Sequence, residues 1–136
     1  MSKKNVILLY GGNSTEHEIS IRSARNIARA TNTSLFNMIP IGIAKNGTWY
    51  LKTSEELNNE EIVLSNDNPI ALVPGYDEQK IINIKTQESI GKIDIAFPIV
   101  HGTNGEDGTL QGLLKTMKIP FVGPGVIGSA VTTRLE

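Results

Sequence analysis

The chain has 136 residues, of which 39% are hydrophobic, 20% charged and 5% aromatic, a composition typical of one globular domain. Its 13 basic and 14 acidic side chains nearly balance, so no basic surface is expected for nucleic acid or for an anionic membrane. No apolar stretch approaches the roughly 20 residues that span a bilayer. The sequence has no cysteine and no signal-peptide core, which indicates a cytoplasmic protein without disulfides.

A buried strand and an amphipathic helix open the chain. Residues 6–10 are continuously apolar and stop at Gly11, which predicts a parallel strand buried on both faces. Apolar and small side chains then recur at helical spacing, at Ser20, Ala24, Ile27, Ala28 and Thr31. Residues 15–31 are therefore predicted to form a helix that packs on the first strand.

A hairpin and a weakly patterned segment follow the helix. Residues 36–44 form a second apolar run, and Asn46 with Gly47 separates it from residues 48–51. An Asn-Gly pair between two such runs predicts a hairpin turn. Residues 53–89 are polar apart from short β-prone runs at residues 70–73 and 80–84, and their pattern assigns structure only weakly.

The strand and helix pattern returns in the carboxy-terminal part. Residues 94–100 predict a buried strand, in which Pro98 marks the end because it has no N–H to donate. A helix follows, indicated by the i, i+3, i+4, i+7 spacing of Leu110, Leu113, Leu114 and Met117. Residues 119–122 predict a short strand, and Gly125 begins another helix. Alternating strands and helices predict an α/β fold with a parallel sheet.

Two polar clusters come directly after predicted parallel strands, at residues 11–18 and at residues 101–108. Open α/β sheets bind ligands at this carboxyl edge. Each cluster also precedes a predicted helix, whose first backbone N–H groups have no partner within the helix. The sequence therefore predicts that both clusters line one cleft.

Structural roles compete with binding roles in these clusters. Thr15 and Glu18 have the spacing of a capping box, and Asp107 is well placed to cap the next helix. A cap explains Glu16 only through its favourable interaction with the helix dipole. His101 fits a buried position and a cleft position equally well.

A metal site and a dinucleotide site both receive little support. His17 and His101 lie near carboxylates, but the sequence has none of the usual zinc-ligand spacings. Residues 123–128 match G-x-G-x-x-G, but Pro124 removes a backbone donor and no acidic ribose partner stands about 20 residues further on. No Walker-type loop is present. We therefore expect no metal and no cofactor in this chain.

Taken together, the motifs at residues 11–20, 97–112 and 119–130 closely resemble the amino-terminal domain of D-alanine–D-alanine ligases. The resemblance extends over residues 5–133. It implies a three-layer α/β domain with a mainly parallel, Rossmann-like sheet, called the pre-ATP-grasp domain. In that family, ATP phosphorylates the carboxylate of one D-alanine, and the amine of a second displaces phosphate to form the dipeptide of peptidoglycan. Family members are commonly homodimers.

The resemblance also implies roles for individual residues. Glu16 matches the glutamate that contacts the ammonium of the first D-alanine, and Ile19 matches an apolar neighbour of that site. His101 matches the histidine that faces the substrate carboxyl group. Gly102 allows close approach of the backbone, and Glu106 matches a supporting acidic residue. Glu16 and His101 are thus the candidate catalytic residues.

The resemblance implies that ATP and magnesium bind in other domains. In the family, the helix that begins near Gly125 continues into central and carboxy-terminal domains, which also select D-alanine or D-lactate as second substrate. Residues 1–133 are interpreted as the substrate-side domain, inactive by itself. Residues 134–136 are either vector-encoded or part of a natural fragment. A non-catalytic α/β module that binds a small ligand is the alternative.

Overall fold

The structure is a computed structural model that describes residues 3–12, 16–73, 80–99, 113–115, 117 and 119–121. Its elements in chain order are β1 (Lys4–Gly11), α1 (His17–Ala30), β2 (Phe36–Ile43), β3 (Trp49–Leu51), α2 (Ser54–Asn59), β4 (Ile70–Val73), β5 (Lys80–Asn83), β6 (Ser89–Lys92) and β7 (Ile95–Ile99). Residues 113–115 form a further helical turn. The predicted α/β class is confirmed.

The main sheet has the strand order β3-β2-β1-β7. β1 runs parallel to both β2 and β7, whereas β3 is antiparallel to β2. β1 has neighbours on both sides, and both of its faces are covered, which explains its continuous apolar sequence. β7 ends one residue after Pro98, close to the predicted end. Beyond β7, Phe121 forms a parallel bridge with Ala96, as the predicted strand at residues 119–122 requires.

Two apolar clusters cover the two faces of the main sheet. On one face, Val6 and Leu8 of β1 belong to the same cluster as Ile21 of α1 and Leu57 of α2. On the other face, alternate residues of β1 pack with Ile70 and Ile81 of β4 and β5 and with Leu114. The described part of the chain therefore has three layers, with the main sheet in the middle.

The predicted hairpin connects β2 to β3. Gly47 has a φ of +92°, a conformation that favours glycine. The Ala44 N–H donates to the Thr48 carbonyl at 2.8 Å, and the Asn46 side chain accepts from the Thr48 N–H at 2.9 Å. The Asn-Gly pair thus forms the turn that its sequence predicts.

Residues 53–89 contain more structure than their weak pattern assigned, although β4 and β5 coincide with the two β-prone runs. β4, β5 and β6 form a second, antiparallel sheet in the order β4-β5-β6. α2 begins with a capping box in which the Glu56 N–H donates to Thr53 Oγ1 at 3.1 Å and the Thr53 N–H donates to Glu56 Oε1 at 3.0 Å.

No helix in the described ranges is long and apolar enough to cross a membrane.

The predicted start of α1 was one residue too early, and the predicted helix near residue 113 has one exposed apolar position. The N-cap of α1 is Glu16 rather than Thr15, and the Glu16 side chain makes no cap hydrogen bond. Thr15, the other member of the predicted capping box with Glu18, lies outside the described residues. Leu113 is 41% exposed, whereas Leu114 and Met117 are buried, so the apolar spacing includes one position outside the core.

Candidate functional site

The carboxyl edge of the main sheet turns at Gly11 and Gly12. Both residues have positive φ values, 93° and 94°. The Gly12 N–H donates to the carbonyl of Ile43, the last residue of β2, at 2.7 Å. A Cβ added to Gly11 would lie 2.4 Å from the Ile43 oxygen and 2.9 Å from Val63 Cγ2. Only glycine fits at residue 11, and the resulting turn leads the chain from β1 towards α1.

Glu16 lies at the amino end of α1, next to this glycine turn. Its carbonyl accepts the Ser20 N–H at 2.9 Å, which closes the first turn of the helix. The side chain is half-buried and does not cap the helix. The positive end of the α1 dipole stabilises negative charge at this position. A carboxylate is therefore held at the edge where open α/β sheets bind ligands.

Ser20 connects the helix to the ends of two strands. Its hydroxyl accepts the Gly11 N–H at 2.9 Å and donates to the carbonyl of Ile99, the last residue of β7. Ser20 is fully buried, so water does not compete with these bonds. The sequence pattern indicated only a small buried residue at this position. Its two hydrogen bonds join β1, β7 and α1 at the carboxyl edge.

His17 is 1% exposed and uses both ring nitrogens. The Val63 N–H donates to Nε2 at 3.0 Å, and Nδ1 lies 2.7 Å from the Gly12 carbonyl oxygen. Because a backbone N–H can only donate, Nε2 accepts and Nδ1 carries the ring proton. His17 is therefore a neutral imidazole with no nitrogen left for a metal. The described residues contain no group of three metal-binding side chains.

The other candidate residues have different positions. Ile19 is in the first turn of α1 and is 51% exposed, so an apolar surface is available beside Glu16. His101, Gly102 and Glu106 lie outside the described residues. β7, the strand that precedes them, is parallel to β1 and pairs Ile99 with Tyr10. The cleft shared by Glu16 and His101 stays a prediction.

A buried cation holds the segment of residues 60–66, which lies beside the glycine turn. Lys52 is 3% exposed. Its ammonium lies 3.0 Å from Glu60 Oε1 and 3.5 Å from Glu56 Oε2, and it also donates to the Leu64 carbonyl. The sequence of residues 51–53 did not indicate that Lys52 is buried and paired with two carboxylates.

The carboxylates around Lys52 affect neighbouring ionisable groups. Burial raises the pKa of Tyr10, and the negative charges of Glu60 and Glu56 raise it further. For Glu56, burial alone would raise the pKa, but hydrogen bonds from Asn66 and from the Thr53 backbone and the charge of Lys52 lower it overall. Glu56 therefore stays ionised and Tyr10 stays neutral at neutral pH.

Comparisons with known proteins agree with this geometry. The family model described as "D-ala D-ala ligase N-terminus" matches residues 5–124. The chain belongs to the D-alanine–D-alanine ligase family. It is 43% identical over 136 residues to the ligase of Oceanobacillus iheyensis, a match that covers 96% of this chain and 37% of that protein. It is 39% identical over 143 residues to the ligase of Shouchella clausii, and this match covers 97% of this chain and 38% of that protein.

Solved structures of the family have the same fold. The VanG D-Ala:D-Ser ligase from Enterococcus faecalis has a TM-score of 0.73 and 34% identity, over 89% of this chain and 36% of that one. The D-alanine–D-alanine ligase from Coxiella burnetii has a TM-score of 0.74 and 33% identity, over 90% of this chain and 35% of that one. This chain thus spans little more than a third of each relative and corresponds to the amino-terminal domain. The resemblance inferred from the motifs is confirmed.

Proposed function

We propose that this chain is the substrate-side domain of an ATP-dependent ligase that joins two D-alanines into the dipeptide used for peptidoglycan. The observation that carries the proposal is the position of Glu16 at the amino end of α1, behind the glycine turn, in a chain of this family. Residues 1–133 are the proposed domain. The whole protein is a proposed cytoplasmic homodimer.

ATP and magnesium are proposed to bind in the central and carboxy-terminal domains of the full-length protein, as the resemblance to the family implies. When bound, ATP supplies the phosphoryl group that activates the carboxylate of the first D-alanine. By themselves, the 136 residues should not form the dipeptide.

Glu16 is proposed to bind and orient the first D-alanine through its ammonium group. An ionised carboxylate and an ammonium form a short, charge-assisted hydrogen bond, and this bond fixes the position of the reacting carboxyl group. The exposed part of Ile19 supplies an apolar surface beside it. Half-burial of Glu16 strengthens the bond relative to one in bulk water.

His101 is proposed to face the reacting carboxyl group. A hydrogen-bond donor at that position would stabilise the negative charge that develops on the tetrahedral intermediate. Glu106 is proposed to orient the imidazole, and Gly102 to let the backbone approach the substrate. The parallel pairing of β1 and β7 supports this arrangement, because the carboxyl ends of these two strands, which the polar clusters follow in the sequence, lie at the same edge of the sheet.

Replacement of Glu16 by glutamine in the full-length protein tests the proposed binding role. The change keeps the shape and removes the charge, so we expect the KM for the first D-alanine to rise about 10- to 100-fold, equivalent to about 1.5–3 kcal/mol. The free energy of unfolding should fall by less than about 1 kcal/mol, because glutamine keeps the shape of the side chain and the interaction with the helix dipole is small.

Glu18→Gln is the matched control, since Glu18 is an exposed acidic residue in the same first turn. It should leave the KM unchanged. If Glu16→Gln lowers only the melting temperature and leaves the kinetics unchanged, then Glu16 merely stabilises the helix end, and the proposed binding role is wrong.

A further inference from the structure

The segment of residues 60–66 packs directly on the glycine turn through Val63. One methyl group of Val63 would lie 2.9 Å from a Cβ on Gly11, and the other would lie 2.9 Å from a Cβ on Gly42. The absence of side chains at Gly11 and Gly42 therefore makes room for Val63. The side chain of Val63 lies over the carboxyl ends of β1 and β2, which are adjacent strands.

Side chains outside and inside this segment hold it in place. Arg25 of α1 donates to the carbonyls of Leu57 and Glu60. Lys52 donates to the carbonyl of Leu64. At the far end, the Asn66 side chain donates to the Leu51 carbonyl at 2.9 Å. Hydrogen bonds thus hold the segment both before and after Val63.

His17 is the polar link between this segment and the turn. Its Nε2 accepts the Val63 N–H at 3.0 Å, and its Nδ1–H donates to the Gly12 carbonyl at 2.7 Å. The same residue directly follows Glu16 in the sequence and begins α1. A shift in the position of Val63 can therefore alter the position of Glu16, because the buried side chain of His17 connects the two.

We propose that His17 is a positioning residue that couples the 60–66 segment to the glycine turn and thereby holds Glu16 in its binding position. This inference rests on the proposed function, because the group that it positions is the ammonium-binding carboxylate. The bond to Gly12 orients the turn, whereas the bond from Val63 sets the tautomer that makes Nδ1 a donor. Loss of the Nδ1 donor should therefore weaken binding of D-alanine more than loss of the Nε2 acceptor.

Two variants of the full-length protein separate the two bonds of His17. The amide nitrogen of asparagine can replace Nδ1 as the donor to Gly12, and the amide oxygen of glutamine can replace Nε2 as the acceptor for Val63. We expect His17→Gln to raise the KM for the first D-alanine about 3- to 10-fold, the effect of one ordinary hydrogen bond, with kcat within about twofold. His17→Asn should change the KM by less than about twofold.

A merely structural role predicts that the two variants lose similar thermal stability and have the same KM. An equal KM in both would overturn the proposal, as would a larger rise for His17→Asn. If Glu16→Gln raises the KM and His17→Gln does not, only the coupling is wrong. If Glu16→Gln has no effect, the proposed function itself fails.

Hydrogen exchange on the unmodified protein provides a test without substitutions. Coupling is reciprocal, so saturation with D-alanine should slow exchange of the Val63 amide by less than about twofold, the limit that the expected KM of His17→Asn sets. ¹⁵N NMR should also find the proton of His17 on Nδ1. Slowing of Val63 exchange by more than about twofold, or a proton on Nε2, would overturn the proposal.

Discussion

Replacing Gly11 with alanine should lower the free energy of unfolding by about 3–5 kcal/mol, as measured by urea denaturation. Two costs contribute to this loss. The φ of 93° is unfavourable for alanine, and its Cβ would lie 2.4 Å from the Ile43 carbonyl oxygen. The backbone of β2 forms that contact and is held by its pairing with β1, so it cannot move away at low cost.

Gly47→Ala is the matched control for this variant. Gly47 has nearly the same φ, 92°, but a Cβ there would meet nothing within 4 Å. Its replacement should therefore cost only the conformational part, about 1–2 kcal/mol. Similar losses for the two variants would mean that the glycine turn is not tightly packed against β2, contrary to the structure.

Replacing Lys52 with methionine should cost about 3–5 kcal/mol of unfolding free energy. Methionine keeps most of the apolar stem but leaves the mostly buried Glu60 without its cation and the Leu64 carbonyl without its donor. Lys85→Met is the control, because Lys85 is an exposed lysine that pairs with an exposed carboxylate. It should change stability by less than about 0.5 kcal/mol.

A double variant identifies the source of this loss. Adding Glu60→Gln to Lys52→Met removes the unpaired negative charge, and it should recover at least about 1 kcal/mol. A double variant with the full additive loss would contradict the interpretation that the two charges compensate each other. In that case, the contribution of Lys52 would come from packing and from its bond to Leu64.

The sequence predicted the parts of the fold that have a strong local pattern. β1 is a continuous apolar run because the sheet buries both of its faces, and the hairpin follows from the conformational freedom of Gly47. The strands β4 and β5 coincide with β-prone runs that were only weakly assigned, and β6 was not anticipated, because each strand has only four residues. Their stability depends on pairing with one another and on packing against the main sheet, which no local pattern reveals.

The same distinction applies to the candidate site. The position of Glu16 follows from a local motif, a glycine turn between a strand and a helix. The roles of His17 and Ser20 depend on bonds to Val63 and Ile99, which lie 46 and 79 residues away in the chain. Local sequence does not show which distant backbone carbonyl or amide will form a hydrogen bond with a buried polar side chain.

Dipeptide formation by the full-length protein would show directly whether this domain serves a D-alanine–D-alanine ligase. Purified protein with ATP, magnesium and D-alanine should form D-alanyl-D-alanine and release one phosphate for each dipeptide, and D-serine and D-lactate in parallel reactions should identify the preferred second substrate. The 136 residues alone should form none. If the full-length protein binds D-alanine but releases no phosphate with any of these substrates, then the domain belongs to a non-catalytic binding module and the account is contradicted.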